Sequence, residues 1–360
     1  MRLGVLTGGG DCPGLNAVLR ALVRRGVSEL GYEFVGVQNG YEGLILPNLT
    51  MPLGLDEVRG IHQKGGTILG TSNKADPFAW PVKEDGKLVT RDVSDVVLQR
   101  ARDLKLDGLV CIGGDGTLTM AHKMAERGLK VVGCPKTIDN DLSGTDQTFG
   151  FDTAVGVISE AIDRLHTTAE AHQRVMVVEI MGRNAGFLTL EGGLAGGADF
   201  ILIPEQPYDV DHIVARLTEM WETKKFAIVA ISEGAFPTGG RQAVVEEANT
   251  VPGRGVVRLG GSGKVLADLL APRLEAELRV TVLGHLQRGG TPSPADRVLA
   301  SLYGAMVLDL VRDEKWDHMV CLRDGKLGFS PLGESRKERH VDLGSDKVRL
   351  AKSMGISFGA

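Results

Sequence analysis

The segment GLVCIGGDGTLTMAHKMAERGLKVVGCPK, residues 108–136, contains the pattern that decides the fold. A short apolar run, GLVCI, is followed by a glycine-rich turn, then by LTMAHKMAERG, an amphipathic stretch of helical length, and then by a second apolar run, KVVGCPK. Short apolar runs that alternate with helix-length segments are typical of parallel strands joined by crossover helices. The segment therefore predicts two strands of one parallel sheet with a helix between them.

The same alternation runs along most of the chain. Upstream, LGVLT and EFVGVQ predict strands, and GLNAVLRALVRRGVSEL and DVVLQRARDLKL predict helices. After Gly150, DTAVGVISEAIDRLHTTAEAH predicts a long helix, RVMVVEIMG, DFILIPE, FAIVAISEG and RVTVLG predict strands, and SGKVLADLLAPRLEAEL and KVRLAKSMG predict two later helices. The stretch Glu233–Gly255 is loop-like at both ends. We therefore predict an α/β fold of two Rossmann-like three-layer domains, with mainly parallel sheets and an active-site cleft between them.

Composition excludes several classes of partner. The chain has 360 residues, which is enough for two domains, and 42% of them are hydrophobic. Aromatic residues make up only 5%, which does not suit an aromatic-lined platform for single-stranded nucleic acid. The formal net charge of -5 argues against a general polyanion-binding surface. We therefore expect no nucleic-acid partner.

The ends and the cysteines indicate a cellular compartment. The N-terminal MRLGVLTGGG opens directly on a strand-like run, and no apolar run is long enough to span a membrane. The cysteines show neither CxxC nor zinc-site spacing and are predicted to be small core residues: Cys12, Cys111, Cys134 and Cys321. We therefore expect a cytoplasmic protein without a signal peptide or a membrane partner.

Glycine-rich and polar turns follow predicted strands at five places. In open α/β sheets, ligands bind outside the carboxyl ends of the strands. A tight turn without a ligand explains any one of these segments alone, but five of them together favour one shared crevice. The segments are Leu6–Asn16, Ile112–Thr117, Pro135–Asp141, Glu179–Gly186 and Leu283–Gly290.

The first two turns have the features of phosphate sites. The first, LTGGGDCPGLN, is not a dinucleotide fingerprint, because Pro13 falls where the last glycine belongs, but it presents backbone N–H groups at a helix start, which suits an anion. In IGGDGT the glycines leave room for a phosphate group, and Asp115 suits Mg²⁺, which prefers carboxylates, phosphates and water. The alternative is that Asp115 caps a helix that starts near Leu118, and capping does not exclude metal binding.

The third turn, PKTIDND, carries two carboxylates. A carboxylate in such a turn is suited to accept the proton of a hydroxyl group that attacks a phosphoryl group, and Lys136 is suited to neutralise phosphate. The alternative is an Asx-rich turn without catalytic function. The two carboxylates belong to Asp139 and Asp141.

Several cations accompany these turns, and arginine binds phosphate through a planar fork of donors. The cations are Arg174, Arg183, Arg279, His285 and Arg288. Arg174 and Arg279 each come directly before a strongly apolar run, so we expect them at the N-terminal ends of strands, opposite the five turns. From there they would serve a neighbouring subunit rather than their own crevice.

Four segments together closely resemble the 6-phosphofructokinases: GGDGT, PKTIDNDLSGTDQTFGFDTA, HQRVMVVEIMGRNAG and LGHLQRGGTPSPADRVLA. The resemblance runs from about Leu3 to about Asp309. It implies Mg²⁺ as cofactor, fructose 6-phosphate as phosphoryl acceptor, and a homotetramer or a homodimer with shared active sites. It also implies a donor-binding domain, residues 1–149 with about 285–335, and a fructose-6-phosphate-binding domain, residues 150–284 with about 336–360.

The resemblance assigns roles to residues of the first three turns. Asp139 resembles the base that accepts the proton of the sugar 1-hydroxyl, and Thr137 and Ile138 are similar to its sugar-contacting neighbours. Asp115 resembles the magnesium ligand. The positions that resemble the phosphoryl-donor cradle are Gly10, Gly114, Asp115, Gly116 and Thr117.

The resemblance also assigns the remaining turns. Met181, Gly182 and Arg183 resemble a substrate loop, with Arg183 near the transferring phosphoryl group. Arg174 and Arg279 match arginines that reach the 6-phosphate bound by a neighbouring subunit. The positions that resemble sugar and 6-phosphate contacts are Glu233, His285, Leu286, Gln287 and Arg288.

The donor-selecting positions carry a mixed signature. Gly116 matches the ATP-using members, whereas the pyrophosphate-using members usually carry aspartate there. Lys136 matches the pyrophosphate-using members, whereas most ATP users carry glycine. Asn73 and Lys74 stand near the place where many ATP users carry an Arg–Phe pair. Because a missing side chain makes room for a nucleotide, we predict ATP as the donor and keep pyrophosphate as the alternative.

The same motifs have two alternative interpretations, another class of kinase and a non-catalytic sensor. The NAD kinases and lipid kinases share GGDGT but lack the TIDND, MGR and HLQRGG set. A non-catalytic sugar-phosphate sensor on the same fold is the remaining alternative, although it would be expected to have lost Asp139 or Asp115. His166 stands where regulated bacterial members place an arginine, so the resemblance does not extend to control by ADP or phosphoenolpyruvate.

Overall fold

A computed structural model of the chain describes residues 1–84, 86–247 and 257–360. Its strands are β1 (Arg2–Thr7), β2 (Glu33–Val37), β3 (Thr50–Pro52), β4 (Trp80–Glu84), β5 (Lys87–Arg91), β6 (Gly108–Gly113), β7 (Val131–Pro135), β8 (Arg174–Ile180), β9 (Phe200–Leu202), β10 (Ala227–Ser232), β11 (Val244–Glu247), β12 (Val257–Leu259), β13 (Glu277–Val282), β14 (His318–Arg323) and β15 (Lys326–Pro331). Its helices are α1 (Leu15–Leu30), α2 (Glu42–Ile45), α3 (Ser94–Asp103), α4 (Asp115–Glu126), α5 (Phe151–His172), α6 (Phe187–Ala195), α7 (Val210–Trp221), α8 (Ser262–Leu270), α9 (Pro294–Arg312) and α10 (Asp346–Ser353).

The described residues pack into two compact units. The first unit contains residues 1–153 and 288–338, and the second contains residues 154–247, 257–287 and 339–360. Each unit has its own sheet and its own hydrophobic core. Two α/β units with largely parallel sheets are what the alternating pattern predicts, and the predicted fold class is confirmed.

The first unit is built on a seven-stranded sheet in the order β15-β14-β7-β6-β1-β2-β3. Its five inner strands are parallel, and the edge strands β3 and β15 are antiparallel to their neighbours. Thr7 at the end of β1 pairs with Ile112 of β6, and Gly113 pairs with Pro135 of β7. Because three adjacent strands end at the same edge, the three turns that follow them lie side by side.

The core of the first unit uses the residues that the apolar runs supply. Leu6, Leu118 and Val131 are fully buried in one cluster. Helices α1 and α9 pack so closely that a Cβ at Gly304 would lie 2.5 Å from the backbone oxygen of Val18. The cysteines are buried free thiols, as expected of small core residues: Cys12, Cys111, Cys134 and Cys321.

The second unit is built on a four-stranded parallel sheet in the order β13-β8-β10-β9. The turns after β8, β10 and β13 therefore lie at one edge of this sheet. The core contains Val175, Val177 and Val229, which are fully buried. Strand β13 is an edge strand, and its residues are only partly buried or exposed.

The structure differs from the predicted elements at identifiable places. Helix α8 ends at Leu270 rather than near Leu278, because Pro272 interrupts the helical hydrogen bonds and the chain then enters β13. Helix α6, FLTLEGGLA, has no clear polar face, and periodicity therefore did not reveal it. Strand β11 lies within the predicted loop Glu233–Gly255, of which residues 248–255 lie outside the described ranges.

Other elements were also missed. The hairpins β4–β5 and β14–β15 and the helices α7 and α9 had no prediction. The final helix, α10, lies where KVRLAKSMG predicts it. Within the ranges that the structure describes, no helix has the length and apolar character that crossing a membrane requires.

Candidate active site

The glycine-rich turn after β1 is fixed by hydrogen bonds from two other segments. Gly9 N–H donates to the Ser72 carbonyl (3.0 Å), and the Thr71 hydroxyl donates to the Gly9 carbonyl (2.6 Å). Lys136 Nζ donates to the Gly10 carbonyl (2.6 Å). Gly9 has φ +80°, which favours glycine. The turn is therefore held in one conformation by these bonds.

The turn after β6 leads directly into helix α4. The N-cap is Gly114, no side chain caps the helix, and Asp115 is its exposed first residue. The alternative of Asp115 as the capping residue of a helix near Leu118 is therefore wrong. A Cβ added at Gly116 would meet no atom within 4 Å. A helix N-terminus with free N–H groups and open space beside it is suited to an anionic group.

Thr117 joins the first two turns. Its side chain is buried, and a Cβ at Gly113 would lie 2.4 Å from the Thr117 Cβ. A Cβ at Gly8 would lie 2.6 Å from the Thr117 hydroxyl oxygen. Glycine is therefore required at both positions for the turns to approach each other, and Thr117 serves packing as well as lining the helix start.

The turn after β7 buries one carboxylate oxygen that lacks a hydrogen-bond partner. Asp139 N–H donates to the Thr137 hydroxyl (3.1 Å), and Asn140, which follows, has φ +54°. The Asp139 Oδ1 atom is buried and has no hydrogen-bond partner among the described residues. A buried carboxylate oxygen without a partner is unfavourable unless a ligand supplies the bond.

Charges around Asp139 act in both directions. Burial raises the pKa of the Asp139 carboxyl, the positive charges of Arg288 and Lys136 lower it, and the Asp115 carboxylate raises it. Burial, with the Asp139 and Asp115 charges, raises the pKa of Asp141 to about 7. The three carboxylates therefore lie close enough to repel one another.

Two cations are fixed beside these carboxylates. Arg288 Nη1 donates to the Asp11 carbonyl (3.0 Å), and a Cβ at Gly10 would lie 2.9 Å from the same nitrogen. Burial lowers the pKa of the Lys136 amine, although the nearby Asp11 and Asp139 carboxylates act to raise it. An anionic ligand would favour the charged form of the Lys136 amine.

This arrangement fits a phosphorylated ligand with Mg²⁺. In the described part of the chain, no group of three or more His, Cys, Asp or Glu side chains is placed to hold a metal ion by itself. Mg²⁺ is usually held by one or two carboxylates together with substrate phosphates and water. An exposed Asp115, the unpartnered Asp139 oxygen and the open space at Gly116 match that requirement.

In the second unit, Gln287 connects two turns. The Met181 N–H donates to Gln287 Oε1 (3.3 Å), and Gln287 Nε2 donates to the Gly284 carbonyl (3.1 Å). Gln287 is fully buried, and Gly182 has φ +138°, which only glycine adopts readily. The turns after β8 and β13 are therefore fixed relative to each other.

The Arg183 backbone is braced by a third turn. Gly234 N–H donates to the Gly182 carbonyl (3.1 Å), and a Cβ at Gly234 would lie 1.9 Å from the Arg183 carbonyl oxygen. Gln242 Nε2 donates to the carbonyls of Arg183 (3.0 Å) and Gly234 (3.1 Å). Sequence reasoning did not identify Gly234 or Gln242, because neither belongs to a recognisable pattern.

Comparison with protein-family models matches residues 2–311 to the phosphofructokinase model. The chain belongs to the phosphofructokinase family. ATP-dependent 6-phosphofructokinase 2 of Clostridium perfringens is 47% identical over 99% of this chain and 98% of its own length. The pyrophosphate–fructose 6-phosphate 1-phosphotransferase of Streptomyces coelicolor is also 47% identical, over 100% of both chains.

Among solved structures, phosphofructokinase from Pichia pastoris superposes with a TM-score of 0.78 and 30% identity over 93% of this chain. This chain spans only 35% of the length of that yeast chain. The predicted membership in the phosphofructokinases is therefore confirmed, and relatives of equal similarity carry both donor names.

Within this phosphofructokinase, the predicted site residues fall into three groups. The first unit brings together Gly10, Gly114, Asp115, Gly116, Thr117, Lys136, Thr137, Ile138, Asp139 and Arg288, with the exposed Asn73 and Lys74 directly after Ser72. The second unit carries Met181, Gly182, Arg183, Glu233, His285, Leu286 and Gln287 on the turns after β8, β10 and β13. Arg174 and Arg279 lie away from these turns, in strands β8 and β13.

The side chains of two predicted sugar contacts are buried. Ile138 is 0% exposed, and so is Gln287, whose amide is used between two turns. By contrast, His285 and Leu286 are exposed. Ile138 therefore has only its backbone available to a ligand, and Gln287 braces the turn that carries its neighbours.

The two remaining arginines share one partner. Arg174 is the first residue of β8, as predicted, whereas Arg279 is the third residue of β13 and lies beside Met176. The expectation that Arg279 lies at the N-terminal end of its strand is therefore wrong, because β13 begins at Glu277. Both guanidinium groups form ion pairs with the Glu277 carboxylate.

The raised pKa of Asp141 predicts a pH-dependent stability. Below about pH 4 Asp141 is protonated in both states; as pH rises to about 7 only the unfolded chain ionises, so stability falls and then levels off. Because each pKa unit corresponds to about 1.4 kcal/mol, we expect Asp141→Asn to gain on the order of 1–3 kcal/mol over wild type at pH 8 and nothing at pH 4. Urea unfolding without Mg²⁺ measures the free energy of unfolding of both proteins at both pH values. An equal change of this free energy at pH 4 and pH 8 would contradict the prediction.

Proposed function

We propose that this chain is a 6-phosphofructokinase that transfers the γ-phosphoryl group of ATP to the 1-hydroxyl of fructose 6-phosphate, a step of glycolysis. The observation that carries the proposal is the buried, unpartnered Asp139 carboxylate oxygen, which lies among two cations and two glycine-rich turns. Membership in the phosphofructokinase family and relatives named for this reaction support it. The pyrophosphate-dependent reaction is the second candidate, favoured by the relative that bears that name.

Asp139 is proposed to act as the general base. It accepts the proton of the sugar 1-hydroxyl while that oxygen bonds to the γ-phosphorus and the bond from phosphorus to the ADP oxygen breaks. The positive charges of Arg288 and Lys136 favour its ionised form, and burial together with Asp115 makes it a stronger base than an exposed carboxylate. Thr137 accepts the Asp139 N–H and thereby orients the turn.

The phosphoryl donor is proposed to lie against the turns of the first unit. Gly10 and the α4 N-terminus, from Gly114 to Thr117, present backbone to the phosphates, and Asp115 would hold Mg²⁺. Mg²⁺ supplies charge neutralisation for the phosphates when it is bound. Asn73 and Lys74 directly follow Ser72, whose carbonyl accepts a hydrogen bond from the Gly9 N–H of the same turn. We propose that both residues contact the donor.

Fructose 6-phosphate is proposed to bind the turns of the second unit. Met181, Gly182 and Arg183 form the loop on which the sugar lies, and Arg183 neutralises charge on the transferring group. Further sugar and 6-phosphate contacts are assigned to Glu233, His285, Leu286, Gln287 and Arg288. We accordingly propose donor binding for residues 1–149 with about 285–335, and sugar binding for residues 150–284 with about 336–360.

ATP is the proposed donor because of Gly116. A Cβ there meets no neighbouring atom within 4 Å, which supports space for a group beyond the two terminal phosphates. Lys136, the pyrophosphate-type residue, is buried and donates to the Gly10 carbonyl. This supports a role for Lys136 in shaping the turn, which is compatible with either donor.

We also propose a homotetramer or homodimer in the cytoplasm, in which Arg174 and Arg279 serve the 6-phosphate of a neighbouring subunit. Both arginines lie at or near edge strand β13, where exposed Val282 is 59% accessible. An edge strand with apolar side chains is a ready surface for a second copy. The Glu277 carboxylate would compete with a phosphate for both guanidinium groups.

Turnover of fructose 6-phosphate with Mg²⁺, measured in parallel with ATP and with pyrophosphate, tests the function. We expect ATP to be used, and Asp139→Asn to lose about 10²- to 10⁴-fold in kcat with substrate binding retained, because the amide cannot accept the proton. Asp95→Asn, on the exposed face of α3, is the matched control and keeps wild-type kcat. More than half of normal kcat in Asp139→Asn would remove this residue from the role.

Gly116→Asp tests the donor assignment. The new carboxylate would lie near the α-phosphate, and two like charges about 4 Å apart at an effective dielectric near 20 repel by about 4 kcal/mol. We therefore expect kcat/KM for ATP to fall roughly a thousandfold, and for pyrophosphate much less. Gly116→Ala fills the same open space without charge and should lose far less. A wild type that prefers pyrophosphate by about tenfold or more would overturn the assignment.

Arg174→Ala and Arg279→Ala test the shared site. Because these arginines would grip a phosphate remote from the reaction, we expect KM for fructose 6-phosphate to rise roughly tenfold or more with kcat little changed. Mixing Arg174→Ala subunits with Asp139→Asn subunits should restore activity, since each partner supplies what the other lacks. Unchanged KM in both single variants, or no restoration on mixing, would contradict the shared site.

A further inference from the structure

Asn140 combines an unusual backbone with a buried side chain. It lies between Asp139 and Asp141, has φ +54°, and is 6% exposed. Positive φ is uncommon for residues with a Cβ, and asparagine tolerates it better than most. The left-handed residue determines how the chain passes from the first carboxylate to the second.

Both the nitrogen and the oxygen of the Asn140 amide form hydrogen bonds. Its Nδ2 donates to the Asp146 carbonyl (3.3 Å), and its Oδ1 accepts from the Thr148 N–H (3.0 Å). The Thr148 hydroxyl lies 3.3 Å from the same Oδ1 and donates to the Thr137 carbonyl (2.7 Å). These bonds connect Thr137, before Asp139, and Asn140, after it, to residues 146–148.

Residues 145–148, which we call the anchor, are themselves fixed. The Tyr303 hydroxyl of α9 donates to the Gln147 carbonyl (2.7 Å). Asp146 N–H donates to the Leu322 carbonyl (2.8 Å), and Leu322 N–H donates to the Thr145 hydroxyl (3.0 Å). The anchor is thus attached to α9 and to β14, both of which belong to the packed body of the first unit.

The carboxylates on either side of Asn140 need such support. Asp139 and Asp141 repel each other, and both are repelled by Asp115. Repulsion favours rotation of the two carboxylates away from each other, and within the turn the Asp139 N–H bond to the Thr137 hydroxyl acts against that rotation. The bonds from Asn140 to the anchor oppose it, because any change of its φ would break them.

We propose that Asn140 is a positioning residue for phosphoryl transfer, which directs Asp139 and Asp141 toward the donor turns through its left-handed backbone and its bonds to the anchor. It contacts neither substrate. The proposal rests on the proposed function, in which Asp139 is the base. A side chain that acts only through the direction of the base should affect the transition state more than substrate binding.

Two variants separate the backbone from the side chain. Asn140→Gly keeps the left-handed conformation without strain and removes only the bonds to the anchor, whereas Asn140→Ala removes both. We expect kcat to fall about tenfold in Asn140→Gly and about a hundredfold in Asn140→Ala, with KM for fructose 6-phosphate within about threefold. Asn48→Ala is the matched control, because Asn48 also has φ +62° but is exposed and outside the site; it should keep wild-type kcat.

A double-mutant cycle with Asp139→Asn distinguishes positioning from general loss of structure. If Asn140 acts through Asp139, Asn140→Gly should lower the residual kcat of Asp139→Asn by less than about twofold. A kcat above half of wild type in Asn140→Gly, or an equally large loss in the Asp139→Asn background, would overturn the positioning role alone. If the wild-type protein shows no turnover of fructose 6-phosphate with either ATP or pyrophosphate, the proposed function is wrong and this inference fails with it.

Discussion

Mutual repulsion among the carboxylates at the ends of β6 and β7 is the constraint on which the candidate site depends. The parallel register brings Asp115, Asp139 and Asp141 to one edge of the sheet, where burial and their own charges raise the pKa values of the latter two. Arg288 and Lys136 offset part of this cost. A site of this kind is incomplete without a ligand that carries cations or donates hydrogen bonds to the carboxylate oxygens, and a magnesium–phosphate complex meets the first of these needs.

Holding the carboxylates together requires rigid surroundings, and the chain provides them mainly through backbone groups. Glycines at the turns after β1 and β6 allow those turns to approach within contact of Thr117, and any side chain there would separate them. The carbonyls of Gly9 and Gly10 accept bonds from Thr71 and Lys136. The same strategy recurs in the second unit, where the Gly234 N–H donates to the Gly182 carbonyl and Gln242 donates to the carbonyls of Arg183 and Gly234. Electrostatic sites are effective when their dipoles are fixed before the ligand arrives.

The sequence predicted the parts of the molecule that local patterns determine. Strands β1, β6 and β7 were visible because buried parallel strands are short apolar runs, and their common edge follows from being parallel. Helix α6 was not visible, because its glycines and apolar residues show no polar face. The bonds from Asn140 to Asp146 and Thr148, and the contact of Arg288 with Asp11, depend on a backbone angle or on residues far apart in the chain. Resemblance located the residues, but only coordinates show what holds them.

The choice of donor depends on which residue can distinguish ATP from pyrophosphate. Lys136 is buried, its amine is bonded to the Gly10 carbonyl, and burial lowers its pKa. Any anion placed against that turn would raise the pKa again and strengthen the charge, whether the anion is the end of a nucleotide or pyrophosphate. In the proposed function, Lys136 would therefore stabilise both donors through the terminal phosphates that they share. Gly116 differs, because the open space beside it matters only for a donor that extends beyond two phosphates. We therefore propose that discrimination between the donors resides in the absence of a side chain at Gly116 rather than in the charge at Lys136.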